Sequence, residues 1–340
     1  MNAISTLLLV LPFLLPILLA NFGEKERSVR LFTWIYLVLL NGILALVGLG
    51  SFAMAGLLGS DSFANALHAQ NPTLDLTQLR TARLDLGGVI LLAGCALAML
   101  AMLPPVRRMV ARILPIDANS LVHGTALSLT ATAFGLNLYQ TVALGPFVFA
   151  AAASQQVAQQ LQQTYLDVLV FPLLTLLVAA LIGVGLYIRR DQTQVLQRLG
   201  LAIPTGRQLL LVVGVVVGLL ALAIGTERVW QAFDPTSLKQ VGGLSKALLG
   251  NMTGLTGAFA IGAAAAIGEE TFFRGAYQPR MGIVLTALLF ASFHSQYGLT
   301  PAALLVLIIG LVLGVLRQRT SLTVCILVHF LYNFVSVLIS

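Results

Sequence analysis

Charge is scarce in this chain. Only 9% of its 340 residues are Asp, Glu, Lys or Arg, against roughly 25% in a soluble domain. So few ions cannot cover a water-exposed surface of this size, which excludes an ordinary soluble globular protein. Cysteine is almost missing too. Cys95 and Cys325 each sit alone in an apolar run, which excludes a disulfide framework and any Cys-based metal or redox motif and leaves two small hydrophobes. Nucleic-acid binding is excluded by placement: the net charge is +7, but the nineteen basic residues are scattered over short joints. That scatter suits topology determinants and contact with membrane lipids.

What is there is hydrocarbon. Hydrophobic residues make up 58% of the chain and the mean hydropathy is +0.95, the composition of a multi-pass integral membrane protein. The expected fold class is all-α, a polytopic transmembrane helical bundle of about ten spans. Apolar runs place them near Ile4–Ala20, Leu31–Leu58, Leu86–Leu103, Leu121–Ala153, Leu166–Ile188, Gln208–Ile224, Met252–Ile267, Gly282–Phe293, Pro301–Leu316 and Leu322–Ile339. The first lacks a basic leader and reads as a retained helix. The fourth is too long for one straight crossing and is expected to bend near Gly145-Pro146. The eighth is short for a full crossing.

Alternate joints differ in charge. One set holds fourteen of the nineteen Lys and Arg residues, among them Arg189, Arg190, Arg198, Arg207, Arg274 and Arg280. By the positive-inside rule that set is cytoplasmic and both termini lie outside. The outer joint Ser60–Asp85 has leucine spacing suited to a surface helix, and Gln155–Gln163 reads as an uncharged outer loop. Thr226–Lys246, with Trp230 and Phe233 among polar residues, suits an interfacial helix. Bland linkers fit all three equally well. The basic join at Arg189–Arg207 divides residues 1–190, N-terminal helices of unassigned role, from a C-terminal part over residues 191–340.

Ten of the twelve acidic residues fall in joints or at span ends; Glu269 and Glu270 stand between apolar stretches. Carboxylates at the edge of hydrocarbon lose hydration, so such residues are functional candidates. On a helix Glu270 has Arg274 on its own face at i, i+4, whereas Glu269 points elsewhere without a partner in its segment. His294 and His329 also belong to apolar runs; His68 and His123 read as solvated or capping. Phe290/His294 and His329/Asn333 repeat the i, i+4 spacing on two further helices. Buried imidazoles and amides need partners in lipid, which favours one shared polar cluster.

Its members suggest a chemistry. A carboxylate and a neutral histidine can deprotonate water, and a second histidine with an asparagine amide can stabilise an oxyanion. No serine or cysteine is arranged for covalent catalysis. Glu269, His294 and His329 are also donors that zinc accepts, but no His-Glu-x-x-His pair is present and Arg274 would set a cation beside the metal. Other readings are a non-enzymatic membrane scaffold or immunity-type factor, whose polar cluster only packs helices, and a proton relay or transporter.

Glu269-Glu270-Thr271-Phe272-Phe273-Arg274, Phe290 with His294, and His329 with Asn333 resemble the Glu-Glu-x-x-x-Arg, Phe-x-x-x-His and His-x-x-x-Asn motifs of the CAAX-protease and bacteriocin-processing (CPBP, or ABI) intramembrane proteases. The resemblance extends over about Gly200–Ser340 and leaves the first five helices unaccounted for. It implies a metal-independent glutamic endopeptidase with no cofactor, acting on a peptide or membrane-protein substrate; prenylated CAAX proteins are one class. By that likeness Glu269 and His294 activate the water, and His329 and Asn333 hold the oxyanion. Glu270 and Arg274 form the orienting ion pair, with Phe290 in a structural role.

Overall fold

The computed structural model describes residues 3–70, 82–145, 169–249, 252 and 254–339. They form helices, with no β-strand among them. Helix α1 (Ala3–Gly23) is followed by α2 (Arg27–Leu58) and the short α3 (Asp61–Gln70). Helix α4 (Leu84–Leu100) turns by 95° into α5 (Pro104–Val110). The Pro104-Pro105 pair explains the corner, since the residue before a proline is pushed out of helical geometry. Helix α6 (Leu121–Tyr139) starts at Ser120, whose side chain caps the His123 amide, and it passes into a π-helical turn at Gln140–Leu144. The expected bend at Gly145-Pro146 lies outside the described residues beyond Gly145, as does the Gln155–Gln163 joint.

Helix α7 (Phe171–Gly183) closes the first half, and the second begins with the amphipathic α8 (Gln192–Leu199), which Asp191 and Gln194 start with a capping box. A second capping box, Thr205 with Gln208, opens α9 (Gly206–Phe233). It is followed by α10 (Pro235–Leu249), α11 (Gly254–Glu270), a π-helical stretch at Thr271–Tyr277, and α12 (Gln278–Ser292). A 3₁₀ turn at Ser295–Tyr297 leads to α13 (Pro301–Arg319) and α14 (Leu322–Ile339).

One outcome differs from the sequence expectations. Helix α9 runs straight through Thr226, so the first part of the proposed interfacial segment continues a long apolar helix. Trp230 there is buried, its indole N–H donating to Ser237 Oγ at 2.7 Å. Among the described residues four helices (α2, α9, α13 and α14) are long and apolar enough to cross a membrane alone, and the bent pair α4–α5 makes five. The chain is therefore a multi-pass membrane protein. Among the other apolar helices, α7 has 13 residues, and α12 is interrupted at Gly282, whose φ of 74° is open to glycine and strained for other residues.

Close backbone approach sets the packing of the first half. Gly94 of α4 and Gly135 of α6 face each other so tightly that a Cβ on Gly94 would lie 2.5 Å from the Gly135 Cα. Small residues of this kind let membrane helices touch along their backbones. Gly94→Leu is expected to destabilise the protein by about 1–3 kcal/mol through overpacking, seen as a lower unfolding midpoint in detergent. Gly50→Leu, with open space around the site, should leave the midpoint unchanged.

The core crosses the join between the halves. Ala101, Ile116 and Leu127 pack in one cluster with Phe273, Tyr277, Met281, Leu289 and Phe290. Two polar contacts reinforce it: Thr130 Oγ1 lies 2.7 Å from the Tyr277 hydroxyl, and Asn137 donates to Ser292 Oγ at 3.1 Å. The N-terminal helices thus buttress the segment from Phe273 to Ser292.

Candidate active site

Helix α11 is built of small residues, mainly Gly and Ala, and ends in two adjacent glutamates. The π-helical stretch begins at the next residue. A π turn bonds each N–H one residue further back than an α turn, and such turns are frequent at functional sites. It also misaligns carbonyls, and arginines from elsewhere take three of them. Arg317 donates to Arg274 O (3.2 Å), while Arg198 donates to Gly275 O (3.1 Å) and Ala276 O (3.3 Å).

Glu270 and Arg274 are both fully buried, and Arg274 Nη1 donates to Glu270 Oε1 at 2.9 Å. The second guanidinium nitrogen donates to Gly310 O at 3.2 Å, and one turn later Gln278 donates to Gly314 O at 2.8 Å. These two side chains, four residues apart, fasten the stretch to α13. The guanidinium lies over the Phe290 ring, 4.3 Å from its centroid, a cation–π contact strengthened by the absence of water.

His329 brings α14 into the same cluster. Its Nδ1 lies 2.8 Å from Glu270 Oε1, the oxygen that Arg274 also uses. An ionised carboxylate only accepts, so Nδ1 carries a hydrogen and Nε2 is the nitrogen left for other work. Asn333 lies one turn further on, half-buried, with no hydrogen-bond partner among the described residues. The sequence reading grouped His329 with Asn333 and missed the bond to Glu270, because nothing in one-dimensional spacing specifies how α14 rotates against α11.

His294 ends α12. Its Nδ1 lies 2.9 Å from Phe290 O, and since a carbonyl cannot donate, Nδ1 is protonated and the neutral ring offers Nε2 as a base. The ring packs on Phe290 at a centroid distance of 4.9 Å and stacks on Tyr297 at 6.0 Å with planes 10° apart. Tyr297 is a residue the sequence reading overlooked; its only signal was the i, i+3 spacing from His294. Burial pushes its phenol pKa up, and the neighbouring Glu269 carboxylate adds to that.

Glu269 is half-buried, and its Oε2 is buried with no hydrogen-bond partner. Among the described residues no hydrogen bond joins it to His294; Tyr297 stacks on His294 and feels the Glu269 charge. A free carboxylate oxygen and an imidazole with its outer nitrogen free, both grouped around Tyr297, are the kinds of group that hold and deprotonate a water. No three His, Cys, Asp or Glu side chains among the described residues are grouped to hold a metal ion, and Glu269, His294 and His329 do not form such a set.

Neither curated proteins nor solved structures gave a match to this chain. Residues 251–335, which hold Glu269, Glu270, Arg274, Phe290, His294, His329 and Asn333, match the family model described as type II CAAX prenyl endopeptidase Rce1-like, and that segment is similar to those proteases.

Proposed function

We propose that this protein is an intramembrane endopeptidase that hydrolyses a peptide bond by direct attack of water. The observation that carries the reading is the unpartnered Glu269 oxygen together with His294, whose Nδ1 is fixed on Phe290 O, whose Nε2 has no partner among the described residues and whose ring stacks on Tyr297. The match of residues 251–335 to a CAAX endopeptidase family supports it. Glu269 takes a proton from a water held between it and His294 Nε2. The hydroxide oxygen adds to the carbonyl carbon, and the carbonyl oxygen becomes the oxyanion. In this proposal His329 acts as an imidazolium, its Nδ1–H on Glu270 and its Nε2–H donating to that oxygen alongside the Asn333 amide. Glu270 fixes the His329 ring through Nδ1 and is itself held by Arg274. The tetrahedral carbon then expels the amine, which receives the proton from the Glu269–His294 pair.

The substrate class in this proposal is a prenylated protein or peptide ending in a CAAX sequence. The orientation is that of the charge map: about ten helices, both termini outside, and the glutamate pair near the cytoplasmic face. Purified protein with a farnesylated CAAX peptide tests the reaction. Turnover is expected, and o-phenanthroline should change it by less than about twofold, since no step uses a metal. Loss of turnover restored by zinc would replace this mechanism with a metal-dependent one.

A further inference from the structure

A cavity of about 830 Å³ lies between the two halves, lined by one face each of α1, α6 and α7 and by the α12 side of the site. It is within the range of small-molecule and cofactor sites. Its lining on α6 runs from Ser120 to Asn137, roughly 25 Å at the α-helical rise. The two ends differ. From Phe13 and Leu129 to Leu136 and Phe293 the wall is mainly apolar, whereas every charged lining residue sits at the Ser120 end.

That end carries Arg189, Arg190, Arg198 and Arg280, with Glu24 and Asp117 as its acids. Both carboxylates are engaged. Glu24 Oε1 accepts from Ser120 Oγ and the Val122 amide, with Arg30 at 3.7 Å from its other oxygen, and Asp117 accepts from the Asn119 amide. None of the four arginines forms an ion pair with a carboxylate among the described residues. They donate only to neutral acceptors: Asn21 Oδ1, Val184 O, Gly275 O with Ala276 O, and Pro115 O. A guanidinium has five N–H donors, so each retains unused ones. The Arg198 pKa falls to about 10, chiefly through burial and then through repulsion by Arg280, Arg190 and Arg317. Positive charge here exceeds what the protein neutralises.

We propose that this cavity holds one anionic phospholipid, its acyl chains lying along α6 and its phosphate among Arg190, Arg198 and Arg280. Basic openings between membrane helices bind such headgroups. A substrate chain would need to reach the reacting groups, yet none of Glu269, Glu270, His294, His329 and Asn333 lines the cavity. The lipid therefore acts as a wedge between the N-terminal helices and the protease-like part. This inference does not depend on the peptidase reading.

Full-length protein, stripped of lipid in detergent, tests it by native mass spectrometry and thermal unfolding with added phosphatidylglycerol, phosphatidylcholine or inorganic phosphate. Phosphatidylglycerol should be retained one per chain and raise the unfolding midpoint; the other two should do neither. Neutralising two of the arginines (Arg190→Gln with Arg280→Gln) should weaken that binding about thirtyfold, and Ala133→Trp, which fills the apolar tract, should abolish it. The double variant changes only side chains at the cavity mouth, so it reads binding even if Ala133→Trp fails to fold. Equal retention of phosphatidylcholine, a midpoint raised equally by inorganic phosphate, or unchanged binding by the double variant would overturn the proposal. Retention of a farnesylated CAAX peptide in place of phosphatidylglycerol would overturn it in favour of a substrate channel. Cleavage assays are not part of the readout, so failure here and failure of the peptidase mechanism are separable.

Discussion

Replacing Glu269 with glutamine should lower cleavage of a farnesylated CAAX peptide by about a thousandfold, within the range for removing a positioned general base. The substitution keeps shape and volume and removes only the ability to take a proton. Because Oε2 of Glu269 has no hydrogen-bond partner among the described residues, the folded state loses little, and the unfolding midpoint should shift by less than about 2 °C, the scale of effects well under 1 kcal/mol. His294→Ala should reduce turnover by a similar factor, since the proposed mechanism has Glu269 and His294 act on the same water. The two changes together should be no worse than the larger one alone, as expected of groups acting as a unit. Turnover within tenfold of wild type in both single variants would remove Glu269 and His294 from the chemistry.

Arg274→Ala should have the largest effect on folding. Both members of its ion pair with Glu270 are fully buried, and removing one partner of such a pair typically costs about 3–5 kcal/mol, because the other charge is left behind in a dry site. The loss here includes the Gly310 carbonyl and the contact over Phe290. Urea or thermal unfolding in detergent measures it. Adding Glu270→Gln to Arg274→Ala should recover part of the loss by discharging the stranded carboxylate. A double variant less stable than Arg274→Ala would show that the pair is held by packing instead of charge.

Much of this arrangement was legible in the sequence, and the reason is the lipid. In a chain so poor in charge, each ionisable residue inside an apolar run draws attention by its expense, so Glu269, Glu270, Arg274, His294 and His329 could be picked out from hydropathy and spacing. The i, i+4 relation of Glu270 to Arg274 is local, and helix geometry alone places the two together. The bond from His329 to Glu270 joins residues 59 apart; it depends on how two helices rotate against each other, which period and composition leave open. Tyr297 was hidden because aromatic residues are common near membrane interfaces and carry no charge to mark them. Helix α9 overran its expected end because Glu227 and Arg228 read as a polar joint, whereas the buried Trp230 two residues later carries the helix onward.

The π stretch at Thr271–Tyr277 has a consequence for how the two faces of this segment are tuned. A helix with one residue added to a turn rotates everything beyond it by about 100° relative to everything before it. The glutamates precede the stretch, and two anchors that pack on the N-terminal helices, Tyr277 and Met281, lie at its end and beyond. The aim of the carboxylates is thereby uncoupled from the azimuth of the anchoring face. A shift in the packing of the N-terminal helices can be absorbed within the looser turn, leaving the bearing of Glu269 and Glu270 unchanged.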